Sequence, residues 1–242
     1  MRRLLIDAGN TRIKLAVVED GCWQAATSLP THQPGALTGY LSACDDVRQV
    51  WVSNVAGATV EQSLRQACAA RHWAPQFIRA QASQCGVHNG YVQPSQLGSD
   101  RWAALIAAWH LLGAASLVVN SGTATTIDAL SDKGEFLGGL ILPGIALMRS
   151  SLATGTAQLP ATCGDYASFP GNTADALASG AIQATCGAIQ RQHALLAVAD
   201  APVLLSGGAA QVLQPHINLP LRMMDNLVLQ GLLLIAQGTS EA

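Results

Sequence analysis

Four short stretches of this chain carry residue types suited to holding and moving a phosphate. The first is Asp7-Ala8-Gly9-Asn10-Thr11, a carboxylate that ends an apolar run and enters a small polar turn. The second is Asn120-Ser121-Gly122-Thr123-Ala124-Thr125. In each, a Gly lets a ligand approach the backbone because it has no Cβ. The Asn, Ser and Thr side chains supply neutral hydrogen-bonding groups. A strand-end carboxylate such as Asp7 can hold a hydrated divalent cation that neutralises phosphate charge. A plain β-hairpin would also explain either turn, but its recurrence with the same chemistry favours a phosphate cradle. The third stretch is Gly98-Ser99-Asp100-Arg101, at the entry to an apolar helical run. Asp100 reads either as a helix cap or as a carboxylate aimed at a reacting hydroxyl. Arg101 reads either as a substrate-holding cation or as half of a surface ion pair. The fourth is Leu205-Ser206-Gly207-Gly208, where a Gly pair could let a base or ribose lie on the backbone. A helix entry capped by Ser206 is its plainer reading.

The elements that must position these residues follow from apolar periodicity and turn chemistry. Leu4–Ile6 and Ile13–Val18 read as strands flanking the first turn, with Cys22–Ser28 as a third strand. Pro34–Ala43 reads as a helix, 47–57 as a buried strand, Thr59–Arg71 as a helix and Gln76–Arg79 as a strand. Cys85–Ser95 reads as an irregular Gly- and Asn-rich loop before a helix over Leu97–Leu112. The pattern restarts at Gly113. Residues 116–130 read as strand, turn and strand, 136–144 as a third strand, and about 145–153 as a helix. Leu159–Asn172 reads as a loop and Thr173–Val198 as a long helix. A strand with a Gly-Gly turn at 202–210, a strand at Leu221–Met224 and a helix at Leu227–Gln237 complete the chain.

An internal repeat of this kind constrains the fold strongly. It predicts two α/β halves, 1–112 and 113–242, each a mixed sheet with helices on both faces. A cleft between the halves is expected to receive the turns, since pockets favour such interfaces.

Composition narrows the partners. The chain has 242 residues, of which 50% are hydrophobic and only 12% charged, with a formal net charge of −2. That suits a well-buried core and argues against disorder. No basic stripe marks a nucleic-acid surface. The six cysteines, at 22, 44, 68, 85, 163 and 186, form no CxxC or other paired ligand pattern, which points to thiols in a reducing compartment. No signal peptide or apolar run of membrane-spanning length is evident, so a cytoplasmic protein is expected. None of the six His residues falls in a ligand pair; His88 and His110 are the two nearest the candidate chemistry.

The order of DAGNTRIK, NSGTATTID, GGLILPG and LLSGG resembles the superfamily of acetate kinase, sugar kinases, Hsp70 and actin. Within it, NGYVQPSQLGSDRW at 89–102 and GNTADALASG at 171–180 resemble the type III pantothenate kinases. The resemblance covers nearly the whole chain. It implies two ribonuclease H-like, actin-like halves, each with a mixed five-stranded sheet. It also implies transfer of the ATP γ-phosphoryl group to pantothenate, giving 4′-phosphopantothenate, the first step of coenzyme A biosynthesis. On that resemblance Asp100 is the general base. Asp7, Ala8, Gly9, Asn10, Thr11, Arg12, Ile13, Lys14 and Thr123 contact ATP, and Asp7 also positions Mg²⁺ through water. Tyr91, Gly98, Ser99, Asp100, Arg101 and Thr173 meet the pantothenate. A homodimer is implied too.

Asn120 departs from the family pattern, which places an Asp there, associated with potassium or ammonium. Asn keeps an oxygen but loses the charge, which puts the K⁺ or NH₄⁺ requirement in question. Two rival readings stand beside the pantothenate kinase. One is a kinase or phosphatase of the same fold acting on a sugar, polyphosphate or other small molecule. The other is a regulatory or accessory protein that keeps the fold.

Overall fold

The computed structural model describes residues 1–155 and 164–239. Cys163 and part of the expected loop at Leu159–Asn172 lie outside them. The described residues form two compact units, Met1–His110 with the C-terminal segment from Leu227, and Leu111–Asn226.

The first unit opens with three consecutive antiparallel strands, β1 (Arg2–Ala8), β2 (Arg12–Glu19) and β3 (Cys22–Pro30). Helix α1 (Pro34–Ser42) leads to β4 (Gln49–Asn54), and α2 (Ala58–Ala69) leads to β5 (Pro75–Phe77). β4 and β5 join by parallel pairing, giving the order β3-β2-β1-β4-β5. Strand alternation sorts the side chains. Leu4, Ile6, Ala8, Val50 and Val52 pack with Leu37 and Leu41 of α1 and Leu64 and Cys68 of α2. Asp7 and Ser53 therefore project from the opposite face.

Two very short strands follow, β6 (Ser83–Gln84) and β7 (Val87–Asn89), and a 3-10 turn at Pro94–Gln96. Helix α3 (Ser99–Leu112) is buried continuously from Arg101 to Ala108.

The second unit repeats the pattern with β8 (Ser116–Ser121), β9 (Ala124–Leu130) and β10 (Glu135–Pro143) antiparallel in succession. After α4 (Ile145–Gly155) and α5 (Thr173–Leu196) come β11 (Val203–Ser206), the short α6 (Ala210–Leu213) and β12 (Leu221–Met223). β11 and β12 pair in parallel, so the strands of this unit run β10-β9-β8-β11-β12, the first unit's order again. Leu117, Val119, Ile127 and Ala129 pack against Ile182, Cys186 and Ile189 of α5 and Leu213 of α6.

Two differences from the sequence reading concern the chain's organisation. The loop expected from Cys85 to Ser95 contains the turn and second strand of a small hairpin. Its two-residue turn, Cys85-Gly86, has positive φ at both positions, 49° and 79°. That is the geometry of a tight primed turn, but its flanking strands are too short to show a period. The closing helix α7 (Leu227–Gly238) was expected with the second half and instead groups with the first unit, where it packs on β1 and β4. At Gly231 a Cβ would come within 1.9 Å of the Ala103 carbonyl oxygen, so α7 lies backbone to backbone on α3.

The five described cysteines are free thiols. Among the described residues no helix is long and apolar enough to cross a membrane.

Candidate active site

The start of α3 gathers the polar residues of the third motif. Gly98 O accepts the first helical bond, from Trp102 N at 3.0 Å. Asp100 is the second residue of the helix rather than its cap, and its Oδ1 accepts from Arg101 N at 2.8 Å. A Cβ on Gly98 would lie 2.6 Å from that same oxygen, so only glycine leaves the carboxylate where it is. Burial pushes the Asp100 carboxyl up, against the lowering effect of the Arg101 N–H and charge. Ser99 is buried, and its hydroxyl shares a 2.9 Å hydrogen bond with that of Ser53 on β4.

Arg101 is 6% exposed, which excludes a surface ion pair as its role. Its Nη1 donates to Tyr91 Oη at 3.1 Å, and its guanidinium lies 5.8 Å from the Tyr91 ring centre. Tyr91 is in turn fixed by Asn89, whose Oδ1 accepts from Tyr91 N at 3.0 Å while its Nδ2 donates to Pro94 O at 3.2 Å. The hairpin that leads into this loop is tied to α3 by Trp102 Nε1, which donates to Gln84 Oε1 at 2.9 Å. One helix therefore anchors both the carboxylate and the loop beside it. His88 and His110 are exposed.

Asp7 stands near the end of β1, partly buried, opposite Lys14 on β2 and Ser53 on β4. Its carboxyl is pushed up to about 7, first by burial and next by the charge of Asp100, with Lys14 pulling the other way. Asp7 and Asp100 thus share one electrostatic environment. The first turn closes when Gly9 N donates to Arg12 O at 3.0 Å, leaving Asn10 and Thr11 exposed at its tip. Arg12 lies along β3, donating from Nε to Ser28 Oγ at 2.6 Å and from Nη2 to Ser28 O at 2.8 Å. Ala8 and Ile13 put their side chains in the core, so only their backbone could meet a ligand.

The second turn has the same construction, one residue tighter: Gly122 N donates to Ala124 O at 2.9 Å. Two more turns of this unit converge on it. Gly144 N donates to Thr123 O at 2.9 Å, and Ala209 N to Ser121 O at 3.0 Å. Gly207, at φ +100°, sits so close that a Cβ would meet Ser121 O at 2.3 Å and Asn120 Oδ1 at 2.7 Å. Ser206 ends β11, and α6 is entered through Ala209, so Ser206 is not a helix cap. Asn120 is the parallel partner of Ser206. Thr173 is the first residue of α5, exposed; the cap is Asn172, whose side chain accepts from Asp175 N at 2.9 Å.

The sequence model of the family described as Type III pantothenate kinase matches residues 3–194. A type III pantothenate kinase from Aromatoleum aromaticum is 48% identical over 240 residues, covering 99% of each chain. Another from Nitrosospira multiformis is 48% identical over 241 residues, covering 98% of this chain and 92% of its own.

The chain belongs to the type III pantothenate kinase family.

Solved structures agree on the fold. A protein described as a Baf family transcriptional activator from Campylobacter jejuni matches with TM-score 0.62 at 22% identity, covering 99% of this chain and 100% of its own. The inorganic polyphosphate/ATP-glucomannokinase from Arthrobacter matches with TM-score 0.52 at 14% identity, covering 98% and 99%. At such identities the likeness shows the actin-like, sugar-kinase architecture alone.

For a member of this pantothenate kinase family, the residues expected at the site fall into two groups. Asp7, Lys14, Tyr91, Gly98, Ser99, Asp100 and Arg101 are all in the first unit and are linked by hydrogen bonds, strand pairing or charge. Asn120, Thr123 and Thr173 are in the second. Sequence reasoning passed over Ser53 and Asn89. The signal for Ser53 was slight, a hydroxyl that follows the apolar run Val50-Trp51-Val52 in the same strand and precedes Asn54. Asn89 could have been found as an Asx-turn residue two before Tyr91.

Proposed function

We propose that this chain catalyses the ATP-dependent phosphorylation of pantothenate to 4′-phosphopantothenate, the first step of coenzyme A biosynthesis. The observation that carries this is full-length membership of the type III pantothenate kinase family at 48% identity. The first unit supports it with a half-buried Asp100, its carboxyl raised by desolvation, beside a buried Arg101 and its Tyr91 partner.

In this reading Asp100 takes the proton of the primary hydroxyl as that oxygen attacks the γ-phosphorus. The raised carboxyl makes it a better base than an exposed Asp. Arg101 and Tyr91 orient the pantothenate, with Gly98, Thr173 and the backbone of Ser99 around it, the Ser99 hydroxyl being engaged by Ser53. Asn10 and Thr11 at the exposed tip of the first turn, with the backbone of Ala8, Gly9, Arg12 and Ile13, meet the ATP, as does Thr123. Lys14 moderates the charge at Asp7.

The residues present fit a divalent cation. Asp7 lies in an environment that resists its own ionisation, and a cation would relieve that. Among the described residues no cluster of three or more His, Cys, Asp or Glu could hold a metal ion. A Mg²⁺ held by Asp7 through water would therefore draw its other ligands from water and the phosphates, as Mg²⁺ usually does. When bound, it supplies charge neutralisation on the phosphates. At the position of the monovalent cation, Asn120 offers a neutral oxygen, so K⁺ or NH₄⁺ is expected to bind more weakly than to an Asp. We place the enzyme in the cytoplasm as a homodimer; exposed Leu137 and Ile141 on β10 and Leu147 on α4 support a subunit contact.

The test is phosphorylation of pantothenate, by the purified protein with Mg-ATP, beside hexoses and polyphosphate as competing acceptors. Turnover on pantothenate alone supports the proposal. Turnover on a sugar alone, or nucleotide binding without any phosphorylated product, overturns it in favour of one of the two rivals.

A further inference from the structure

Ser53 lies in the middle of the first unit and is 0% exposed. A hydroxyl at a buried strand position is costly unless it is hydrogen-bonded, and an alanine or valine would suit the neighbouring Val50, Trp51 and Val52 better. Its place in the fold gives it a purpose. Ser53 is the parallel-strand partner of Asp7, and both project away from α1 and α2. Its Oγ meets the Oγ of Ser99, the first residue of α3, at 2.9 Å. The next residue is Asp100. One hydrogen bond thus joins the strand beside Asp7 to the helix turn that carries Asp100. The end of β4 packs on the same turn, since a Cβ at Gly98 would lie 3.8 Å from Val55 Cγ1.

We propose that Ser53 is a positioning residue for phosphoryl transfer: through Ser99 it fixes the first turn of α3 on β4 and so sets the Asp100 carboxylate relative to Asp7. This rests on the reading of Asp100 as the base. Ser53 touches neither substrate; it acts through Ser99. Transfer is sensitive to such placement, because misplacing a reacting group by about 1 Å can cost about 100-fold. A hydroxyl pair that tilts rather than breaks the turn costs less than that.

The experiment compares Ser53→Ala, Ser99→Ala, the double variant and Asp100→Asn by steady-state kinetics, with urea unfolding on each. The expected result for Ser53→Ala is a kcat about 10-fold lower, with KM for ATP and pantothenate within about 2-fold. The two single losses should not multiply in the double variant, because each removes the same bond. A Ser53→Ala enzyme with wild-type kcat beside an inactive Asp100→Asn overturns the positioning role and leaves the base in place. An Asp100→Asn enzyme with wild-type kcat overturns the base and the positioning role with it. Should Ser53→Ala not fold, Ser99→Ala carries the test alone. A lower kcat at unchanged KM supports the bridge, and a raised pantothenate KM at unchanged kcat makes Ser99 a simple substrate contact and overturns it.

Discussion

Gly98 has no room for a side chain because the Asp100 carboxylate occupies that space, 2.6 Å from where a Cβ would stand. The obstruction is the end of a flexible side chain, so a substitution would move the carboxylate rather than the backbone. Gly98→Ala is therefore expected to fold normally and lose catalysis. The expected drop in kcat is about 10- to 100-fold, with a melting temperature within about 3 °C of the parent. Steady-state kinetics and a thermal melt check both halves of this statement.

Asp7 makes a prediction about pH. Its carboxyl is raised to about 7 from an ordinary 3.8. For an acid raised on folding, the stabilising contribution is fully present below the unfolded value and is lost as pH rises through the folded one. The unliganded protein should thus lose stability between about pH 4 and pH 7. Asp100, raised as well, acts in the same direction. Asp7→Asn should remove most of this dependence. The variant should become more stable than the parent above pH 7, by on the order of 1–3 kcal/mol, while losing turnover. Urea unfolding at pH 4, 6 and 8 reads the difference.

Tyr91 and Arg101 make a prediction about substrate selectivity. Tyr91→Phe deletes the acceptor of the 3.1 Å bond from Arg101 and keeps the ring beside the guanidinium. The expected effect is a pantothenate KM about 5- to 10-fold higher, the scale of one typical net hydrogen bond. KM for ATP should not move. An equal rise in both would place Tyr91 outside the acceptor pocket.

Gly231 tests the packing that carries α3. Any Cβ there meets the Ala103 carbonyl at 1.9 Å, and two helix backbones must separate to admit it. Gly231→Ala should cost about 2–4 kcal/mol of stability in denaturant unfolding. A neutral result would mean that α7 does not lie on α3 as described.

Much of this was legible in the sequence because the repeated turns and the strands around them follow strong local rules. Both Gly turns fall where the apolar runs end, and strands β1, β2, β8 and β9 lie within a residue or two of their expected bounds. The hairpin at Ser83–Asn89 was hidden because strands of two and three residues show no period. The grouping of α7 with the first unit was hidden for another reason. An apolar helix reports that it is buried, and not which sheet buries it. Gly231, inside that apolar run, is where α7 meets the Ala103 backbone of α3. For the site, residue type and spacing drew notice to Asp7 at a strand end, while Asp100 read equally as a helix cap until the family resemblance made it the base. Their electrostatic coupling, and the Ser53–Ser99 contact that joins their elements, arise from tertiary packing and leave no local trace.

The most direct test of the central claim is transfer of the ATP γ-phosphoryl group to pantothenate by the purified protein with Mg²⁺. It should be run with and without K⁺ or NH₄⁺, beside Asp100→Asn. The account predicts 4′-phosphopantothenate from the parent and a loss of about 100-fold or more in the variant, with a weak dependence on the monovalent cation because of Asn120. A folded parent that binds ATP yet forms no 4′-phosphopantothenate under any of these conditions would contradict it.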